Sequence, residues 1–124
     1  MIKLMILFKQ AAHDGTFDLR YARNLTLLRK MPGVERVTEG QVIGGPGGPA
    51  AYRRVLELGF ASFEALDTAL RSPEGVAAGK DLMDFAGKDA ELLFVEVAEE
   101  PSPVVLTPAN LQAFLDHHHI EAQV

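Results

Sequence analysis

The first nine residues alternate without leaving a polar face. Ile2, Leu4, Ile6 and Phe8 share one parity and Met5 and Leu7 the other, which predicts a β-strand covered on both sides. Lys9 closes the run too early for a membrane span, and the segment lacks the basic leader and small-residue cleavage site of a signal peptide. After the break at His13-Asp14-Gly15-Thr16 the period changes. Phe17, Tyr21, Leu28 and Met31 recur at helical spacing, with Thr16 placed to cap, Asp18 in the first turn, Arg29-Lys30 in the last, and Pro32-Gly33 as the stop.

Residues 34–43 alternate polar and β-branched side chains. The turn-rich Gly44–Pro49 stretch then leads into a second extended run, Tyr52 to Phe60, so the two form a hairpin. In the second run Arg53, Val55, Glu57 and Gly59 fall on one face, and Tyr52, Leu56, Leu58 and Phe60 on the other. Ser62 caps a short helix with Phe63, Leu66 and Leu70 on one stripe. Ser72-Pro73-Glu74 restarts it, with a serine cap and proline at the first helical position. The restarted helix reaches about Ala86 and carries two apolar stripes, Val76-Gly79-Met83 and Ala78-Leu82-Phe85, which predicts two packing partners. Leu92 to Val97 reads as the last strand.

The order is β-α-β-β-α-β, a ferredoxin-like antiparallel sheet of the α+β class with its helices on one face. The first and last strands are apolar on the other face as well. A second copy of the same sheet is the economical cover, and a homodimer by sheet-to-sheet packing is expected. Residues 1–99 form this domain. Residues 100–124 read as a linker, Pro101-Ser102-Pro103, and a C-terminal helix capped by Thr107-Pro108 with Leu111, Phe114 and Leu115 at helical spacing. Docked on another subunit, that helix would build an assembly larger than a dimer.

The 124 residues suffice for one core. A net charge of −5, with the basic residues dispersed, gives no surface for displacing counterions, so neither nucleic acid nor a membrane is expected as partner. With no cysteine there is no disulfide, thiolate metal site or thiol nucleophile. A cytoplasmic location fits. No dinucleotide fingerprint, metal-ligand cluster or Gly-x-Ser-x-Gly is present, so no cofactor and no metal are expected. The Gly44–Pro49 stretch leads into a strand and lacks the Gly-Lys-Ser/Thr ending of a phosphate loop.

Phe17 to Gly33, the hairpin Gln41 to Phe60, Phe63 to Gly87 with its Ser72–Gly75 turn, and Leu92 to Val97 together resemble the EthD-like family of dimeric α+β barrel proteins. The resemblance spans roughly residues 1–99. It implies a ferredoxin-like monomer, a face-to-face dimer, and a pocket in each subunit. The wider superfamily includes cofactor-free monooxygenases, muconolactone isomerases and haem enzymes. Members of the family are associated with ether degradation in bacteria and with dehydration of aromatic polyketides in fungi. Many carry an aromatic-x-x-His-x-Pro-Leu run on the first helix, where this chain reads Tyr21-Ala22-Arg23-Asn24-Leu25-Thr26-Leu27. The histidine is replaced by Asn24, so an acid–base role for it has no counterpart here.

At about 100° per residue, Phe17, Tyr21, Asn24, Leu28 and Met31 fall within roughly 80° of arc. A polar amide thus stands in a buried stripe, where it needs a backbone group, a water or a ligand as partner. It is either a satisfied structural amide or part of a pocket. Tyr21 and Tyr52, the only tyrosines, can offer a hydroxyl to a ligand or simply pack. Glu57 in mid-strand is either a desolvated base or half of an inter-subunit ion pair with an arginine. The rings of His117-His118-His119 diverge along a helix and cannot converge on one metal. A lone His13 offers little toward catalysis. The expectation is a pocket between the first helix and the sheet, lined by Tyr21, Asn24, Leu28, Tyr52 and Phe85, for a small apolar or aromatic metabolite. Its chemistry would be cofactor-free isomerisation, dehydration or oxygenation. The alternative is non-enzymatic ligand binding or an accessory, assembly role.

Overall fold

A computed structural model describes residues 1–10 and 15–98. Strand β1 (Ile2–Lys9) is the spine, followed by α1 (Phe17–Arg29), β2 (Arg36–Gln41), β3 (Tyr52–Phe60), α2 (Phe63–Arg71), α3 (Pro73–Ala86) and β4 (Ala90–Glu96). The strands form one antiparallel sheet in the order β2-β3-β1-β4. With α2 and α3 taken as one broken helix, this is the ferredoxin-like β-α-β-β-α-β plan. The linker and helix expected over residues 100–124 lie outside the described residues, as does His13.

The helices of the described residues, α1, α2 and α3, cover one face. Leu4, Ile6 and Phe8 of β1 and Leu56, Leu58 and Phe60 of β3 are buried there against Leu25 and Leu28 of α1, Leu66 of α2 and Leu82 of α3. The alternate residues Met5, Leu7 and Val55 occupy the other face and stay half-buried, with Leu93 of β4 exposed beside them. No helix among the described residues is long and apolar enough to cross a membrane.

The break between α2 and α3 is built from side-chain chemistry. Ser72 is extended (φ −66°, ψ 158°); its Oγ accepts from Gly75 N–H at 3.0 Å and lies 2.6 Å from the Ala69 carbonyl, to which it donates. Pro73 follows at the first helical position, where its missing N–H is no loss. Gly75 is required by the tight corner, since a Cβ there would stand 2.1 Å from the Ala69 carbonyl oxygen. Gly33 ends the α1 turn with φ +83°, a left-handed conformation open to glycine.

Three local expectations are corrected. Thr16 precedes α1 but makes no side-chain cap: its backbone is already helical (φ −93°, ψ −3°), and its carbonyl accepts from Arg20 N–H at 3.0 Å. The α2 stripe is Leu66, Ala69 and Leu70, with Phe63 exposed at the first turn. On α3 the buried stripe is Gly75, Ala78, Leu82 and Ala86, whereas Val76 and Met83 face outward and are exposed among the described residues.

Candidate functional site

The site grows from an irregularity in β3. Phe8 pairs with Arg54, but Lys9 pairs with Tyr52, so Arg53 is an extra residue in the ladder. A bulge of this kind reverses the alternation beyond it. Both arginines therefore reach the helix side: the Arg53 guanidinium lies 4.1 Å from the Phe17 ring centre, and that of Arg54 lies 4.2 Å from the Tyr21 ring. Arg54 also donates to Asp18 Oδ1 at 3.2 Å, while Arg53 comes within 3.9 Å of the same oxygen. Tyr52 is turned the other way. Its hydroxyl donates to Glu91 Oε2 at 2.8 Å, and Lys9 Nζ holds the other carboxylate oxygen at 3.1 Å. These bonds lift the Tyr52 phenol above its ordinary range and lower the Glu91 carboxyl. Since Glu91 stands opposite Leu7, this group lies on the uncovered face.

On the helix side, Phe8, Phe17, Tyr21 and Phe85 form an aromatic wedge between α1, α3 and the sheet. Phe8 meets Phe17 and Tyr21 edge to face at 5.6 and 5.4 Å, and Phe85 stacks on Phe8 at 6.3 Å. At the polar end the Tyr21 hydroxyl donates to Glu39 Oε1 of β2 at 2.8 Å. Burial first, and then the Glu39 carboxylate, push this phenol far above its ordinary range. Tyr21 is accordingly a persistent hydrogen-bond donor and no base at neutral pH.

Asn24 is 1% exposed. Its Nδ2 donates to the Ala78 carbonyl at 3.0 Å and to Asp81 Oδ2 at 3.1 Å, joining α1 to α3. One turn earlier, Arg20 pairs with Asp84 at 2.9 Å along the same seam. Glu57 is held within the chain by Lys3, at 3.6 Å on the uncovered face. Leu28 is a core residue deeper along α1.

Of the five expected lining residues, Tyr21 and Phe85 thus join the same aromatic cluster, Asn24 and Leu28 extend it along α1, and Tyr52 lies on the opposite face. Phe8, Arg54 and Glu39 are the participants that periodicity did not single out. The Arg53-Arg54 doublet marks where alternation fails. Among the described residues no three His, Asp or Glu side chains gather as a metal site, and the histidines at 117–119 lie outside them.

No family model matches the chain. An uncharacterised 11.0 kDa protein from the thcB-thcC intergenic region of Rhodococcus erythropolis is 28% identical over 97 residues, 77% of this chain and 94% of that protein. A crystallised ethyl tert-butyl ether d (EthD) family protein from Bacillus halodurans is 34% identical, with a TM-score of 0.76 over 79% of this chain and 99% of that one. Two more distant structures share the fold. A dimeric ferredoxin-like protein of unknown function from Jannaschia is 17% identical, with a TM-score of 0.61 over 78% of this chain and all of that one. SnoaB, a cofactor-independent oxygenase from Streptomyces nogalater, is 15% identical, with a TM-score of 0.61 over 82% and 97% of the two chains.

Proposed function

This chain belongs to the EthD family, and on that premise we propose that it acts as a cytoplasmic homodimer binding a small aromatic or otherwise apolar metabolite between α1 and the sheet. The observation that carries this reading is the Tyr21 hydroxyl, a buried phenol held neutral at the polar end of an aromatic wedge. With its one hydrogen donated to Glu39, such a group offers its oxygen lone pair as an acceptor to a ligand hydroxyl, while Phe17 and Phe85, half-buried at the rim, supply ring faces. Glu39, half-exposed and sharing Tyr21's proton, is the group placed to accept one from a bound substrate. The chemistry this supports is proton transfer in isomerisation or dehydration, or oxygenation in which the substrate supplies the electrons. The cysteine-free composition suits a reducing compartment.

Binding without catalysis is the second reading. It is favoured by Asn24, whose amide is already engaged by Ala78 and Asp81 in the helix seam.

1-Naphthol, a fluorescent phenol, tests the site, because the chain has no tryptophan to interfere. Saturable binding of one molecule per chain is expected, weakened about tenfold by Tyr21→Phe, the loss of one buried hydrogen bond. Non-saturable binding, or affinity unchanged in both Tyr21→Phe and Phe85→Ala, would remove the wedge as the site. Turnover of bound phenols or enolisable ketones separates the two readings.

A further inference from the structure

The helix side of β4 is left open. Leu92 stands opposite Ile6 and Phe94 opposite Leu4, so their side chains point to the face where the helices pack. Their partners are buried, yet Leu92 is 46% and Phe94 56% exposed. Phe63, the first residue of α2, meets Phe94 edge to face at 5.9 Å and is itself 51% exposed. Three large apolar side chains thus form one shelf at a sheet edge, on the opposite side from the face assigned to a second copy. Patches of this kind mark a contact surface.

We propose that the chain's own C-terminal segment, residues 104–120, folds back as a helix onto this shelf, with Leu111, Phe114 and Leu115 as its contacts. The point of exit favours it: Val97 N–H still bonds the Met1 carbonyl at 2.9 Å, so the chain leaves the sheet three residues beyond Phe94. The length suffices, since ten residues from 98 to 107 can extend roughly 33 Å, whereas Leu92 and Phe94 are only about 7 Å apart along the strand. Pro101 and Pro103 cannot continue the β4 ladder and favour a change of direction. Leu111, Phe114, Leu115 and His118 recur at i, i+3, i+4 and i+7, which gives one narrow apolar stripe with a polar back.

The relatives supply an independent argument. The R. erythropolis and B. halodurans proteins are matched over 94% and 99% of their own lengths by only 77% and 79% of this chain. The unmatched share, about a fifth, is the size of the segment after residue 98. This chain therefore combines an open apolar shelf with an added segment that leaves from the shelf's edge. A rival surface exists in the groove between α2 and α3, lined by Leu70, Val76, Gly79 and Met83. It lacks the shelf's aromatic pair and its place on the strand from which the chain leaves the sheet.

The chain has no cysteine, so engineered pairs report cleanly in the full-length protein. Glu64→Cys lies beside Phe63 and His118→Cys on the tail; a short bismaleimide should link them within one chain, at monomer mass. Met83→Cys paired with His118→Cys should not link. In parallel, hydrogen exchange is compared with a full-length Leu111→Ser, Phe114→Ser, Leu115→Ser variant. Amides at 63–66 and 91–96 should exchange on the order of tenfold faster in that variant, with those of β2 unchanged. The proposal is overturned by a predominantly inter-chain product, by linkage in the Met83→Cys pair in preference to the Glu64→Cys pair, by no linkage in either, or by unaltered exchange at β4.

Discussion

Tyr21 shows how one side chain carries structure and function together. Its ring packs on Phe8 and its hydroxyl donates to Glu39, so deprotonation would place a buried phenolate beside a carboxylate. The unfolded phenol titrates near 10.0 and the folded one well above. Between those values the unfolded chain has lost a proton that the folded chain keeps, so stability is intact below about pH 10 and falls as pH rises further. Urea denaturation from pH 8 to 11 should show this decline, and Tyr21→Phe should reduce it, leaving the share due to the likewise raised Tyr52 phenol; an equal slope in the variant would contradict the assigned environment. The sequence exposed Tyr21 and Asn24 because both sit on a countable helical stripe. Tyr52 escaped because counting by twos assumes unbroken pairing, and the extra Arg53 reverses the faces.

Among the elements, the α2–α3 corner is the most tightly specified. Ser72 serves both helices, and Gly75 lets α3 approach the last turn of α2 more closely than any side chain would permit. Gly79, one turn on, has nothing within 4 Å of a Cβ position. Gly75→Ala should therefore cost about 2–3 kcal/mol through forced separation of the helices. Gly79→Ala should stabilise by roughly 0.5–1 kcal/mol through helix propensity alone. Equilibrium urea unfolding of the two variants checks both signs. The corner was legible in the run Ser72-Pro73-Glu74-Gly75, whose signals are all local. The solvent-facing course of Val76 and Met83 was not, since an apolar stripe does not say whether a partner exists in the same chain.

For the molecule as a whole, the decisive feature is a sheet whose described helices, α1, α2 and α3, all lie on one side. Met5, Leu7, Val55 and Leu93 remain on the other side around the Lys3–Glu57 pair. Covering this surface with a second copy removes it from water and shields the ion pair. Sedimentation should therefore give a dimer, and Leu93→Asp together with Met5→Glu should shift it to monomer at micromolar concentration, since each places unpaired charge in the contact. A wild-type species of 13.5 kDa at that concentration would refute the dimer. The result is independent of naphthol binding and of the tail cross-link, so the three readings can fail separately.

By itself the sequence determined what depends on near neighbours: the order of strands and helices, the α2–α3 break, the apolar character of β1 on both sides, and the burial of Asn24. Periodicity, caps and breakers act over a few residues and leave their mark in any window of the chain. Only the tertiary structure decided what depends on a distant partner. It set the bulge that parts Tyr52 from Tyr21, the meeting of Tyr21 with Glu39, the intrachain hold of Lys3 on Glu57, and the open shelf of Phe63, Leu92 and Phe94. Each arises where two segments far apart in the chain come into register, and the energy of such contacts belongs to the pair rather than to either stretch alone.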